Sequence, residues 1–155
     1  MKSLLITLAL TTAIILPSSA MARNVTLTTE LKSYRGNGAY LVLYVTDAKG
    51  AYQGTLWMAG GKSKYYKHLP SWFRATRGDL AQVSGITGAS VGAGRKLELN
   101  FDLSDALFDA GYKLHIDSSV EDGRDVANDV VVPLTSANAG KTMPGKRYVK
   151  SFTFR

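Results

Sequence analysis

Cysteine is absent from all 155 residues, which excludes several kinds of protein at once. No disulfide can staple the fold, no thiol beside a leader can take a lipid anchor, and stability must come from an ordinary apolar core. Histidine is scarce too. With His68 and His115 as the only imidazoles and no thiolate, the usual zinc ligand sets cannot be assembled, and no metal site is expected. Long apolar runs are missing beyond the N-terminus. There, Lys2 precedes the apolar stretch Leu4 to Leu16, which is broken by Pro17 and followed by the small-residue pattern Ala20-Met21-Ala22. This is the make-up of a secretory signal peptide. Its apolar part falls short of the roughly 20 residues that span a bilayer. The expectation is a leader over residues 1–22, cleaved to leave an exported, periplasmic chain from Arg23 with no transmembrane segment.

Acidic residues are the minority charge: 19 Lys and Arg against 12 Asp and Glu give +7, or +6 once Lys2 leaves with the leader. Such an excess attracts anionic partners at long range. Export argues against nucleic acid, leaving anionic lipid head groups, phosphorylated cofactors or an acidic protein face. The remaining chain of about 130 residues can support one domain with one core, expected over residues 23–155, and it carries no internal repeat or linker.

Helical periodicity is also scarce. Val25, Leu27, Thr29 and Leu31 alternate with polar partners, as do Leu97, Leu99, Phe101 and Leu103, which are expected to face the core. "YLVLYVTD" is apolar at nearly every position and reads as a central strand covered on both faces. Asp47 to Gly50 turns it back into "AYQGTLWMAG", and Asp122-Gly123 turns "GYKLHIDSSV" into "DVANDVVVPL". Tyr148, Phe152 and Phe154 share one face of a last strand. Only the stretch around "SWFRA" reads as helix, limited by Pro70 to a turn or two. The pattern predicts an all-β, immunoglobulin-like antiparallel β-sandwich of about seven strands with one short helical segment. A small antiparallel barrel is the alternative. Thr135 to Lys146 reads as a mobile surface loop.

The carboxylates from Asp102 to Asp109 and from Asp117 to Asp129 do not match a calcium loop and are expected on a solvated face. His115, alternating with Leu114 and Ile116, is placed with Lys113 and Asp117 on the wetter side of its strand. No constellation of an enzyme's own catalytic centre is legible.

Two stretches carry binding chemistry. In "KSKYYKHLPSWFR", cations are interleaved with aromatics, and Tyr65, Tyr66 and Trp72 are candidate stacking faces for a flat anionic ligand. The alternative is that Trp72 and Phe73 plug one end of the sandwich. The second stretch, "SGITGASVGAG" from Ser84 to Gly94, is bare: glycines permit unusual φ, and small side chains leave Ser84, Thr87 and Ser90 sterically accessible.

Thr87-Gly88-Ala89-Ser90 resembles the Ser/Thr-Gly-Ala-Thr/Ser signature on which a periplasmic flavin transferase esterifies FMN, through its phosphate, to the last hydroxyl. "GAYLVLYVTDAKGAYQGTLWM", "YYKHLPSWFR", "SGITGASVGAG" and "DAGYKLHIDSSVEDGRD" together resemble, in order and spacing, the predicted periplasmic proteins grouped as domain of unknown function 2271, over most of residues 24–132. The resemblance implies a periplasmic protein associated with PepSY-type membrane proteins, iron acquisition and extracytosolic electron transfer. It nominates Ser90 as the FMN acceptor, with Thr87 and the backbone N–H groups of Gly88 and Ala89 near the phosphate. Ser84 stands where the signature has Asp, and a second register, Ser84-Gly85-Ile86-Thr87, nominates Thr87. Two readings stay open: a redox or accessory protein carrying covalent FMN, and a binding module with no cofactor.

Overall fold

The computed structural model describes residues 21–155. Apart from Met21 and Ala22, the expected leader lies outside them. Among the described residues, eight strands form two separate sheets, so the fold is a sandwich and not a barrel. The smaller sheet has β1 (Ala22–Leu31) at its centre, flanked by β5 (Lys96–Ser104) and β8 (Val149–Phe154). The larger runs in the order β4 (Thr87–Gly88), β3 (Tyr52–Ala59), β2 (Tyr40–Thr46), β6 (Lys113–Ser119), β7 (Asp125–Pro133). All pairings are antiparallel except the two-residue contact of β3 with β4.

Period-two alternation places Val25, Leu27 and Leu31 of β1 in the inter-sheet core with Leu41, Leu43, Ile116, Val130, Phe152 and Phe154. The run in β2 is buried on both sides because a second core lies on its other face. Val42, Tyr44 and Met58 pack there under Tyr66, Leu69, Trp72 and Val83. The cover is a 3-10 turn (Ser63–His68), the helix α1 (Pro70–Thr76) and a second 3-10 turn (Leu80–Val83). Pro70 opens α1 at its first turn, where its missing N–H costs nothing.

The structure corrects four expectations, the first through this cover. Asp117 is wholly buried and His115 is half-buried, because the outer face of β6 lies beneath α1 and not in water. Asp129 is 1% exposed, its carboxylate accepting Ser118 Oγ at 2.6 Å and the backbone N–H groups of Arg147, Tyr148 and Val149 at 2.8–3.1 Å. Leu97, Leu99 and Phe101 are only half-buried: β5 and β8 both flank β1, but the far side of β8 is covered by the backbone at Gly140 and Met143, and β5 has no such cover among the described residues. The stretch from 135 to 146 is pinned to the sandwich. Gly140 N–H donates to Phe154 O, Met143 exchanges both backbone bonds with Phe152, and Lys146 N–H donates to Asp129 O.

Candidate functional site

The ends of four segments meet around a cavity of about 440 Å³ at the surface. Asn37, Gly38 and Tyr40 enter β2 on one side, and Lys62, Tyr65 and His68 come from the first 3-10 turn. Ser90 comes from the bare loop, and Ser119 to Asp125 supply the β6–β7 hairpin tip. The volume falls within the roughly 300–1,000 Å³ of small-molecule sites.

Backbone geometry sets these walls. Gly60, at the end of β3, has φ +133° and lies directly beneath the Tyr40 ring, where any side chain would collide. Tyr65 packs edge-on against Tyr40 at 5.5 Å and donates its hydroxyl to Glu121 Oε1 at 2.8 Å. Asn37 Nδ2 donates to the other Glu121 oxygen at 2.9 Å. His68 Nδ1 lies 3.0 Å from Asp125 Oδ2, and Ser119 Oγ donates to Asp125 Oδ1 at 3.0 Å. Two of the three carboxylates on this cavity are therefore held by polar neighbours.

Of the bare-loop candidates, only Ser90 lines the cavity. It is exposed, its neighbour Val91 is bridged to Ala39, and a Cβ on Gly38 would stand 2.7 Å from its Oγ. Thr87 points elsewhere, donating its hydroxyl to Val83 O at 2.8 Å. Gly88 makes room for Trp57, whose ring would be 2.6 Å from an added Cβ. Ser84 and Ala89 are exposed outside the cavity.

Among the aromatic candidates, Tyr66 and Trp72 are 4% and 0% exposed, so neither ring offers a ligand a face. They meet each other edge-on at 5.9 Å, and Trp72 Nε1 donates to Thr55 Oγ1 at 2.8 Å. A buried indole needs such a partner. Burial raises the Tyr66 hydroxyl above its ordinary pKa. Tyr65 alone of the three reaches the cavity.

Sequence reasoning missed the polar cluster beneath α1 and the hairpin tip as a cavity wall. Asp117 accepts the backbone N–H groups of Ser71, Trp72 and Asn128 at 2.7–2.8 Å. Burial nonetheless holds its carboxyl above the usual range. His115 stacks on Tyr44 at 5.0 Å and bonds Thr46 Oγ1 and Asn128 Oδ1, both at 2.8 Å. Burial pushes its pKa down, and it raises that of Tyr44. The positive φ of Asn128, 50°, and the register shift of β6 against β7 between Ile116 and Ser118 mark the place, and the sequence shows no glycine there. Among the described residues, no group of three or more His, Asp or Glu could hold a metal ion, and no helix is long and apolar enough to cross a membrane.

A two-sheet β domain with a surface cavity at one end of its larger sheet is thus the class of protein defined here. The chain belongs to the family described as predicted periplasmic protein, domain of unknown function 2271, whose model matches residues 22–151. The match extends beyond Pro133 to Ser151, into the tail that the sequence pieces alone did not reach. No curated protein and no solved structure matches the chain.

Proposed function

We propose that this chain is a periplasmic accessory protein of an extracytosolic redox system, carrying FMN esterified through its phosphate to Ser90 and resting its ring in the adjoining cavity. The observation that carries this reading is that Ser90, alone among the loop hydroxyls, is both exposed and on the cavity wall. The residues present fit the group. Gly38 clears the space beside the Oγ, Lys62 supplies a cation for the remaining phosphodiester charge, and Tyr65 and Tyr40 form an aromatic wall. Bound flavin supplies reversible electron transfer. Ser90 fixes the attachment point, and the Glu121 bonds to Asn37 and Tyr65 hold the wall in place. The modifying enzyme is a periplasmic flavin transferase, and the electron partner is a PepSY-type membrane protein, with iron acquisition as the setting.

A second reading rests on the lining charge. Glu121, Asp122 and Asp125 face the cavity against Lys62 and His68, which favours a cationic ligand in a cofactor-free binding module. Co-expression with a flavin transferase, followed by in-gel fluorescence and peptide mass mapping, separates the two. Fluorescence lost in Ser90→Ala and kept in Thr87→Ala supports the first reading. A stronger signal in Ser84→Asp shows that the acid absent from the signature matters. Wild type left dark beside a labelled acceptor in the same cells moves the assignment to the binding module.

A further inference from the structure

The positive charge of the chain falls largely in two acid-free runs. One follows Asp129 and holds Lys141, Lys146, Arg147, Lys150 and Arg155; the other, before Asp79, is the cover segment with Lys62, Lys64, Lys67, Arg74 and Arg77. The same segment carries two of the few large apolar side chains exposed among the described residues, Phe73 at 36% and Leu80 at 53%.

Leu69 and Trp72 turn into the second core, which leaves Phe73 and Arg74 exposed on α1, while Arg77, also exposed, follows directly as its left-handed C-cap with φ 55°. The Phe73 ring lies directly on Gly78, two residues before Leu80, so both apolar groups and both guanidinium groups sit on one short stretch. Asp79, the acid beside them, is occupied as a cap, accepting Ala81 N–H at 3.0 Å and Gln82 Nε2 at 3.1 Å. The acids Glu121 and Asp125 lie instead at the cavity, bonded to Tyr65 and His68.

We propose that this surface, centred on Phe73, Arg74, Arg77 and Leu80, docks the protein on an anionic lipid bilayer. Cations attract the head groups, while Phe73 and Leu80 enter the boundary between head group and acyl chain. Charge complementarity selects an anionic occupant, and the pairing of exposed apolar groups with cations selects a lipid surface over a purely acidic protein face. The inference is independent of any cofactor on Ser90.

The test uses unmodified protein of residues 21–155, which contains both cores and every strand described. Co-sedimentation is measured with vesicles of phosphatidylcholine alone and of phosphatidylcholine mixed with phosphatidylglycerol, at low salt and at about 0.5 M salt, where charge attraction is screened within a few ångströms. Wild type should sediment with the anionic vesicles only, and less at high salt. Arg74→Glu/Arg77→Glu should lower partitioning about thirtyfold or more, and Phe73→Ser/Leu80→Ser should lower it several-fold, with circular dichroism confirming that each variant folds. Lys141→Glu, on an exposed loop, should bind as wild type does. Failure of wild type to sediment overturns the proposal. So does an equal loss in Lys141→Glu, which would make the effect one of net charge. Retention on immobilised poly-glutamate without vesicle binding also overturns it and assigns the patch to an acidic protein.

Discussion

Asp117 on β6 accepts the backbone N–H of Trp72 on α1 at 2.8 Å, and both residues are wholly buried. A strand thereby supplies the acceptor that a helix N-terminus ordinarily finds in its own cap residue. No side chain caps α1 locally, and its first turn contains no acid. The cover segment, and with it the wall that Lys62, Tyr65 and His68 give the cavity, is fastened to the sheet at this point.

Asp117→Ala leaves three N–H groups without their acceptor, that of Trp72 buried and those of Ser71 and Asn128 part-buried. At about 1–3 kcal/mol for a buried unsatisfied group, with partial relaxation, the variant should lose about 2–4 kcal/mol by urea denaturation. Trp72 emission should shift to the red as α1 loosens. An unchanged midpoint and unchanged emission would show that α1 is held by apolar packing alone.

The two outer strands of the smaller sheet bury their aromatics unequally. Phe152 is wholly buried beside the central strand β1, so Phe152→Ala should cost about 3–5 kcal/mol. Phe101, half-buried on the edge strand, should cost clearly less on the same change, and exposed Lys96→Ala almost nothing. Equal losses for the two phenylalanines would mean that the β5 edge is covered in solution.

Gly88→Ala should destabilise by about 1–3 kcal/mol, the usual range for overpacking, because its Cβ would meet the Trp57 ring at 2.6 Å. Gly85→Ala has open space but φ +77°, so its cost is backbone strain alone. Paired thermal melts distinguish them: an added Trp57→Phe change should relieve the first and leave the second unaltered.

Stability should fall as pH drops below His115's ordinary value of 6.5. Burial lowers the folded-state pKa, so the unfolded chain takes up the proton first, and the contribution is lost until the folded-state value is passed. Asp117 works in the opposite direction. Its raised pKa favours the folded state increasingly as pH falls toward the ordinary 3.8. Comparing thermal midpoints of wild type and His115→Gln across pH 7 to 5 isolates the histidine: the variant should show the shallower decline. Parallel curves would refute this assignment.

Local patterning determined the all-β class, the strands at Val25 to Leu31 and Tyr40 to Val45, the Asp122-Gly123 hairpin and the short helix after Pro70, because period and turn chemistry act over a few residues. The continuous apolar run of β2 even showed that both its faces are covered. What covers the second face was not legible. Period two reports which residues share a side of a strand, and whether water or a helix lies on that side is decided by chain segments far away in sequence. Asp117 and His115 therefore read as solvated and proved buried and half-buried, since Ser71 and Trp72 reach Asp117 from about 45 positions earlier. The same holds for the site. The bare loop exposed Ser84, Thr87 and Ser90 alike on paper; a local bond ties Thr87 to Val83 four residues back, and only tertiary structure brought Ser90 to one cavity with Tyr65 and the hairpin tip. A side chain's chemistry is written in the sequence, but the surface that it faces is created when distant strands close over one another.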